Sequence, residues 1–113
     1  MVKPLPNEPV IHKHVNSAFI GTNLQEILDE AGLKTLVIVG LTTNHCVSTS
    51  TRMAGNFGYE TYLVADATAT FDRTDHDGQI YPAQDVHAIS LASLHQEFAT
   101  VLNTADVLAS ATD

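Results

Sequence analysis

Residues Leu36 to Arg52 read LVIVGLTTNHCVSTSTR, and the fold is decided there. Leu36, Val37, Ile38 and Val39 form an unbroken apolar run, the pattern of a strand covered on both faces in a parallel sheet. Gly40 ends it. Beyond the turn, Val47, Thr51, Ala54 and Phe57 recur at helical spacing, so Cys46 falls where the strand has finished and a helix is beginning. In an open α/β sheet that edge is where ligands bind. A thiol at a helix N-terminus faces unpaired backbone N–H groups and the positive end of the helix dipole, which favour the nucleophilic thiolate. The same amides can hold an oxyanion formed by attack on a carbonyl. On position alone Cys46 is either a nucleophile or a buried structural cysteine, the commoner fate of a lone Cys.

The chain has 113 residues, a length for one small domain. Its 44% hydrophobic and 16% charged content is that of a folded core rather than a disordered segment. Five Lys plus Arg against 13 Asp plus Glu leave a net charge of −8, with no basic cluster. That balance argues against nucleic acid or an anionic membrane surface as a partner. The single cysteine cannot form an internal disulfide, and the sequence shows neither a signal peptide nor a run of about 18 apolar residues. A cytoplasmic location is the expectation.

Outward from the opening stretch, Met1 to Pro9 carry three prolines and read as an extended lead-in. Val10 to Lys13 is expected to form a short strand, with His12 and His14 as exposed polar residues on one face and Lys13 on the other. Ser17 to Thr22 (SAFIGT) is a loop. Leu24, Ile27, Leu28 and Ala31 then make a helical stripe, capped by Thr22 or Asn23 with Gln25 or Glu26 completing the box, and ended by Gly32. With the strand at Leu36 to Val39 the order is strand, helix, strand, as in a right-handed βαβ crossover.

After a helix stop near Gly58, Thr61 to Ala65 (TYLVA) is a further strand with Asp66 at its carboxyl end. Asp72 to Gly78 superficially resembles a calcium loop. Arg73 and Gln84 occupy the first and twelfth positions of that register, so a solvated acidic turn is expected instead. Pro82 suits the first turn of a helix with Val86, Ser90, Leu94 and Phe98 on one side. His87 and His95 on this helix read as packing or surface residues. Ala99 to Leu102 is a last strand and Ala105 to Ala111 a weak terminal helix.

Taken together, VIHK, SAFIGT, GLTTNHCVSTSTR, DATATFDR and HAISLASLHQEFATV resemble, in order and spacing, the C-terminal part of the isochorismatase-like cysteine hydrolases. The resemblance runs from about Pro9 to the end. It implies a three-layer αβα Rossmann-like parallel sheet, here lacking its first two strands, in a single partial domain over residues 1–113. The family cleaves amides and other C–N bonds of small molecules through a cysteine thioester. By match to its motifs, Cys46 is the nucleophile and Lys13 its cationic partner. The oxyanion hole consists of the Thr42 and Cys46 backbone amides, following a cis peptide bond between Leu41 and Thr42.

The family's catalytic aspartate ends its first central strand and has no counterpart here, because the earliest aspartate is Asp29. Asp66 already matches an aspartate of the family's DATAT motif. Nicotinamidases of the family carry a metal on Asp and His residues of the half without a counterpart, so neither metal nor cofactor is assigned. The leading expectation is a cysteine hydrolase acting on a small molecule and needing residues upstream for full activity. Vinyl ether cleavage of the isochorismatase type stays open. The alternative is an inactive fragment or an oligomer-forming remnant. Without its neighbouring strand, Leu36 to Val39 has an open apolar edge suited to pairing with another copy, so a homo-oligomer is expected, and the Lys13 segment is expected to be poorly held. A redox role for Cys46 lacks a resolving cysteine.

Overall fold

A computed structural model describes residues 3 to 111. Its elements are α1 (Leu24–Glu30), β1 (Thr35–Leu41), a π-helical turn (Thr43–Val47), α2 (Ser48–Asn56), β2 (Glu60–Ala69), the short strands β3 (Arg73–Thr74) and β4 (Ile80–Tyr81), α3 (Ala83–Leu94), β5 (Thr100–Leu102) and α4 (Thr104–Ala111). The main sheet has the order β1-β2-β5 and both its pairings are parallel. β3 and β4 form a separate antiparallel hairpin. The architecture is an α/β layer structure, a parallel sheet with helices on both faces.

Side-chain alternation along the strands sorts residues between the two faces. Ile38, Leu63 and Val101 lie in one row, and they meet Val47, Leu91, Leu94, Phe98 and Ala99 to make the main core. Leu63 and Leu94 are fully buried there. On the other face Val37, Tyr62 and Leu102 look towards α4 across an open groove of about 310 Å³ that Val107 and Ser110 also line. β1 is the sheet's edge strand, and its apolar residues on this face stay largely uncovered: Val37, Val39 and Leu41 are 50, 57 and 62% exposed. α2 lies close to the segment after α3. A Cβ on Gly55 would come within 2.7 Å of the Phe98 carbonyl oxygen, so only glycine permits this approach.

The strand expected at Val10 to Lys13 does not form. Residues 9 to 13 have no secondary structure, and Val10 is 61% exposed. The physical reason is that a strand requires a hydrogen-bonding partner, and this segment joins neither sheet. The helix expected from Leu24 does form. Gly32, at φ +70°, closes it as its amide bonds the Asp29 carbonyl and the Leu33 amide bonds the Leu28 carbonyl. Of the two expected caps, Asn23 makes no side-chain cap bond, while the Thr22 hydroxyl accepts the Leu24 amide at 3.4 Å and donates to the Ala18 carbonyl; no bond from Gln25 or Glu26 completes a box among the described residues.

β2 runs beyond the expected TYLVA because it continues through an irregularity. Ile38 is opposite Leu63 but Gly40 is opposite Thr68, so β2 inserts several residues where β1 inserts one. The carbonyls of Val64 and Ala65 both accept from the Thr68 hydroxyl, at 3.1 and 3.3 Å. α3 stops at Leu94, short of the expected Phe98, where the chain turns through Gln96 at φ +68°. The Asp72 to Gly78 stretch builds the β3–β4 hairpin. There the Asp75 carboxylate accepts from the amides of Asp77 and Gln79 and from the Tyr81 hydroxyl.

Candidate active site

The turn between β1 and α2 is not a strand running directly into an α-helix. The peptide bond Leu41–Thr42 is cis. The Thr42 carbonyl then accepts from the amides of both His45 and Val47, at 3.1 and 3.2 Å, and the second of these defines the π turn. Cys46 therefore sits in a π turn that leads into α2, rather than in the first turn of the helix itself. Thr43 and Val47 are buried beneath it, which anchors the turn at both ends, while Cys46 is half-buried.

The partners of the sulfur come from a distant part of the chain. The Lys13 Nζ lies 3.2 Å from Cys46 Sγ and also donates to the Val15 carbonyl at 3.0 Å. The thiol faces Asn16 Oδ1 at 3.7 Å. This segment was expected to be poorly held, yet side chains hold it where strand pairing does not. Ser17 is buried, its hydroxyl bonds Met53 Sδ at 2.6 Å, and it accepts the Phe19 amide. The Ala18 amide donates to the Ser50 hydroxyl at 3.0 Å. Phe19 packs edge-on against Phe57 at 5.3 Å and stacks near Tyr59. The segment is thus docked on α2, the helix that Cys46 leads into.

Among the described residues, neither Cys46 nor Lys13 has a carboxylate as a hydrogen-bond or ion-pair partner. Asp66 is engaged elsewhere, accepting from the Thr104 amide and hydroxyl, both at 2.8 Å, at the start of α4. Those bonds, the Thr104 hydroxyl first, hold its carboxyl below the usual carboxylate value. His12 and His14 are exposed. Among the described residues no three His, Cys, Asp or Glu side chains converge as metal ligands, so no residue is assigned to a metal. No helix among them is long and apolar enough to cross a membrane.

Two further groups lie at the turn. Asn44 accepts from the Thr70 hydroxyl at 2.5 Å, joining the turn to the end of β2. His87, read from sequence as a packing or surface residue, is half-buried. Its Nδ1 lies 2.8 Å from the Thr43 hydroxyl and its Nε2 3.0 Å from the Ala65 carbonyl. No local signal marked it, because one histidine on an amphipathic helix has no pattern of its own.

The comparisons with known proteins bear on the fold and the family. The isochorismatase domain model matches residues 1–106. The uncharacterized isochorismatase family protein YrdC of Bacillus subtilis is 57% identical over 104 residues, 92% of this chain and 56% of that protein. Nicotinamidase 3 of Arabidopsis thaliana is 37% identical over 75 residues, 66% of this chain and 37% of its own length. An isochorismatase-family crystal structure from Chromobacterium violaceum superposes with a TM-score of 0.93 at 45% identity, covering 96% of this chain and 56% of that one. The chain spans about half the length of the curated relatives it matches most fully. With its parallel sheet and its strand-to-helix turn around Cys46, the chain belongs to the isochorismatase family.

Proposed function

We propose that the chain carries the nucleophile of a hydrolase that cleaves an amide or other C–N bond of a small molecule through a Cys46 thioester. The observation that carries this reading is the 3.2 Å contact between Lys13 Nζ and Cys46 Sγ, made by residues 33 apart in sequence. An ammonium at that distance attracts a negatively charged sulfur and holds it in place for attack. Attack forms the S–C bond and moves the carbonyl π electrons onto oxygen, where the Thr42 and Cys46 amides would receive the charge. Collapse expels the amine and leaves the thioester, and water then releases the acid. The thiol proton must reach the departing amine. With no carboxylate beside Cys46 among the described residues, we assign that transfer to a carboxylate outside them.

The test separates acylation from turnover. The protein is treated with a p-nitrophenyl ester and its intact mass is followed. A single acyl adduct on Cys46, absent in Cys46→Ala, is the expected result. Lys13→Met should slow acylation about 10- to 100-fold, the worth of one charge-assisted hydrogen bond. A Cys46 inert to both the ester and iodoacetamide would count against the reading.

A second reading rests on the uncovered β1 edge, where Val37, Val39 and Leu41 are each at least half exposed. An unpaired apolar strand is a template for another chain, and we propose that it pairs with a second copy of this one. Sedimentation velocity over a range of concentrations should show a dimer. A monomer throughout would overturn it.

A further inference from the structure

The imidazole of His87 reaches the turn that the proposed function uses without touching Cys46. Its two hydrogen bonds fix its tautomer. The Ala65 carbonyl can only accept, so Nε2 carries the proton; Nδ1 of the neutral ring is then an acceptor, and the Thr43 hydroxyl donates to it. Thr43 is completely buried, and its side chain has no solvent to substitute for this acceptor. It is also the first residue of the π turn and the neighbour of Thr42. The other end of the imidazole is equally constrained. The Ala65 carbonyl lies in the irregular part of β2, where it also accepts from Thr68.

We propose that His87 is a positioning residue for the oxyanion-binding turn: by accepting the Thr43 hydroxyl while braced on the Ala65 carbonyl, it sets the orientation of the backbone that presents the Thr42 amide. This inference rests on the reading of Cys46 as an acyl-transfer nucleophile. His87 acts through Thr43 and touches neither substrate nor sulfur, so its substitution should weaken the binding of a developing oxyanion while the reactivity of the thiol itself is preserved.

Two reactions of Cys46 separate these effects. A ¹³C-labelled aliphatic aldehyde such as propanal adds to the thiol. The S–C bond forms, the carbonyl π bond breaks, and the thiol proton passes to the oxygen, so the resulting hemithioacetal places an oxygen where the oxyanion would sit. Its equilibrium constant is read by ¹³C NMR. Alkylation by iodoacetamide displaces iodide and generates no oxyanion, so its rate reports the sulfur alone.

Thr43→Val removes the hydroxyl and Thr43→Ser keeps it. His87→Asn keeps an acceptor near the Nδ1 position, and His87→Gln keeps only a donor towards the Ala65 carbonyl. The expected result is an adduct weakened roughly five- to tenfold in Thr43→Val and His87→Gln. The adduct should be near wild type in Thr43→Ser and His87→Asn, with alkylation within about twofold throughout. A residue that merely tethered α3 to β2 would give the reverse order, with Gln outperforming Asn, or would lower both reactions together. Either pattern overturns the proposal, as do equal adduct constants in all variants. Should Thr43→Val fail to fold, the Asn and Gln pair still decides. A wild-type protein that alkylates but forms no adduct would sink the hydrolase reading itself and this inference with it. A wild-type adduct indifferent to the substitutions would sink this inference alone.

Discussion

The two faces of β1 are made from the same kinds of residue and have opposite fates. Ile38 points into the core with Leu63, Val47 and Leu94, while Val37 and Val39, its neighbours on either side, are 50 and 57% exposed. Strand propensity cannot account for the difference, since valine and isoleucine share it. What differs is cover. The covered face is packed by segments that follow β1 closely in sequence, namely the π turn and the elements up to β5. The Cys46 turn grows from that covered side, which is why its geometry is set within this stretch of chain.

The contrast can be broken most forcefully at Leu63, which is fully buried. Leu63→Ala should lower unfolding free energy by about 2–5 kcal/mol in urea titrations. Val39→Lys on the opposite face should change it by no more than about 0.5 kcal/mol and should abolish any dimer. If Val39→Lys costs as much as Leu63→Ala, the face is covered in solution and the two sides are alike.

A smaller effect sharpens the comparison at the far end of β2. The Thr104 hydroxyl and amide hold the Asp66 carboxyl below its usual value. A depressed folded-state value stabilises the protein above the unfolded carboxylate pKa of about 3.9 and loses that contribution as pH falls through the lower value. Melting temperatures between pH 5 and pH 2 should therefore fall less steeply in Asp66→Asn than in the wild type. Parallel curves would show that this cap on α4 contributes nothing.

Elements with strong local signals were legible in the sequence. The apolar run gave β1, Gly32 gave the end of α1, and Pro82 gave the start of α3, because each follows from a residue's own conformational limits. Features that depend on partners were not. Val10 to Lys13 has a strand's composition but nothing to pair with. The extra length of β2 depends on a register change against β1, which TYLVADATA alone does not encode. Five residues are too few for periodicity to separate a π turn from an α-helix, so the sequence locates Cys46 between strand and helix without revealing the π turn that holds it. Of the candidate site, Cys46 stood out by its place between strand and helix. Lys13 came only from resemblance, since its relevance is a contact across 33 residues. His87 went unmarked because its meaning lies wholly in what Thr43 and Ala65 require.

The docking of Ser17 and Ala18 on Met53 and Ser50 has a mechanical consequence. Lys13 and Cys46 are both carried by one short helix: the loop after Lys13 is pinned to α2, and Cys46 belongs to the turn that starts it. Shifts of the sheet therefore carry ammonium and sulfur together, and their spacing is insulated from the uncovered edge next door. A protein engineer could treat residues 13–56 as a cassette, to be moved as one piece when a nucleophile and its counterion are to be transplanted at a fixed distance.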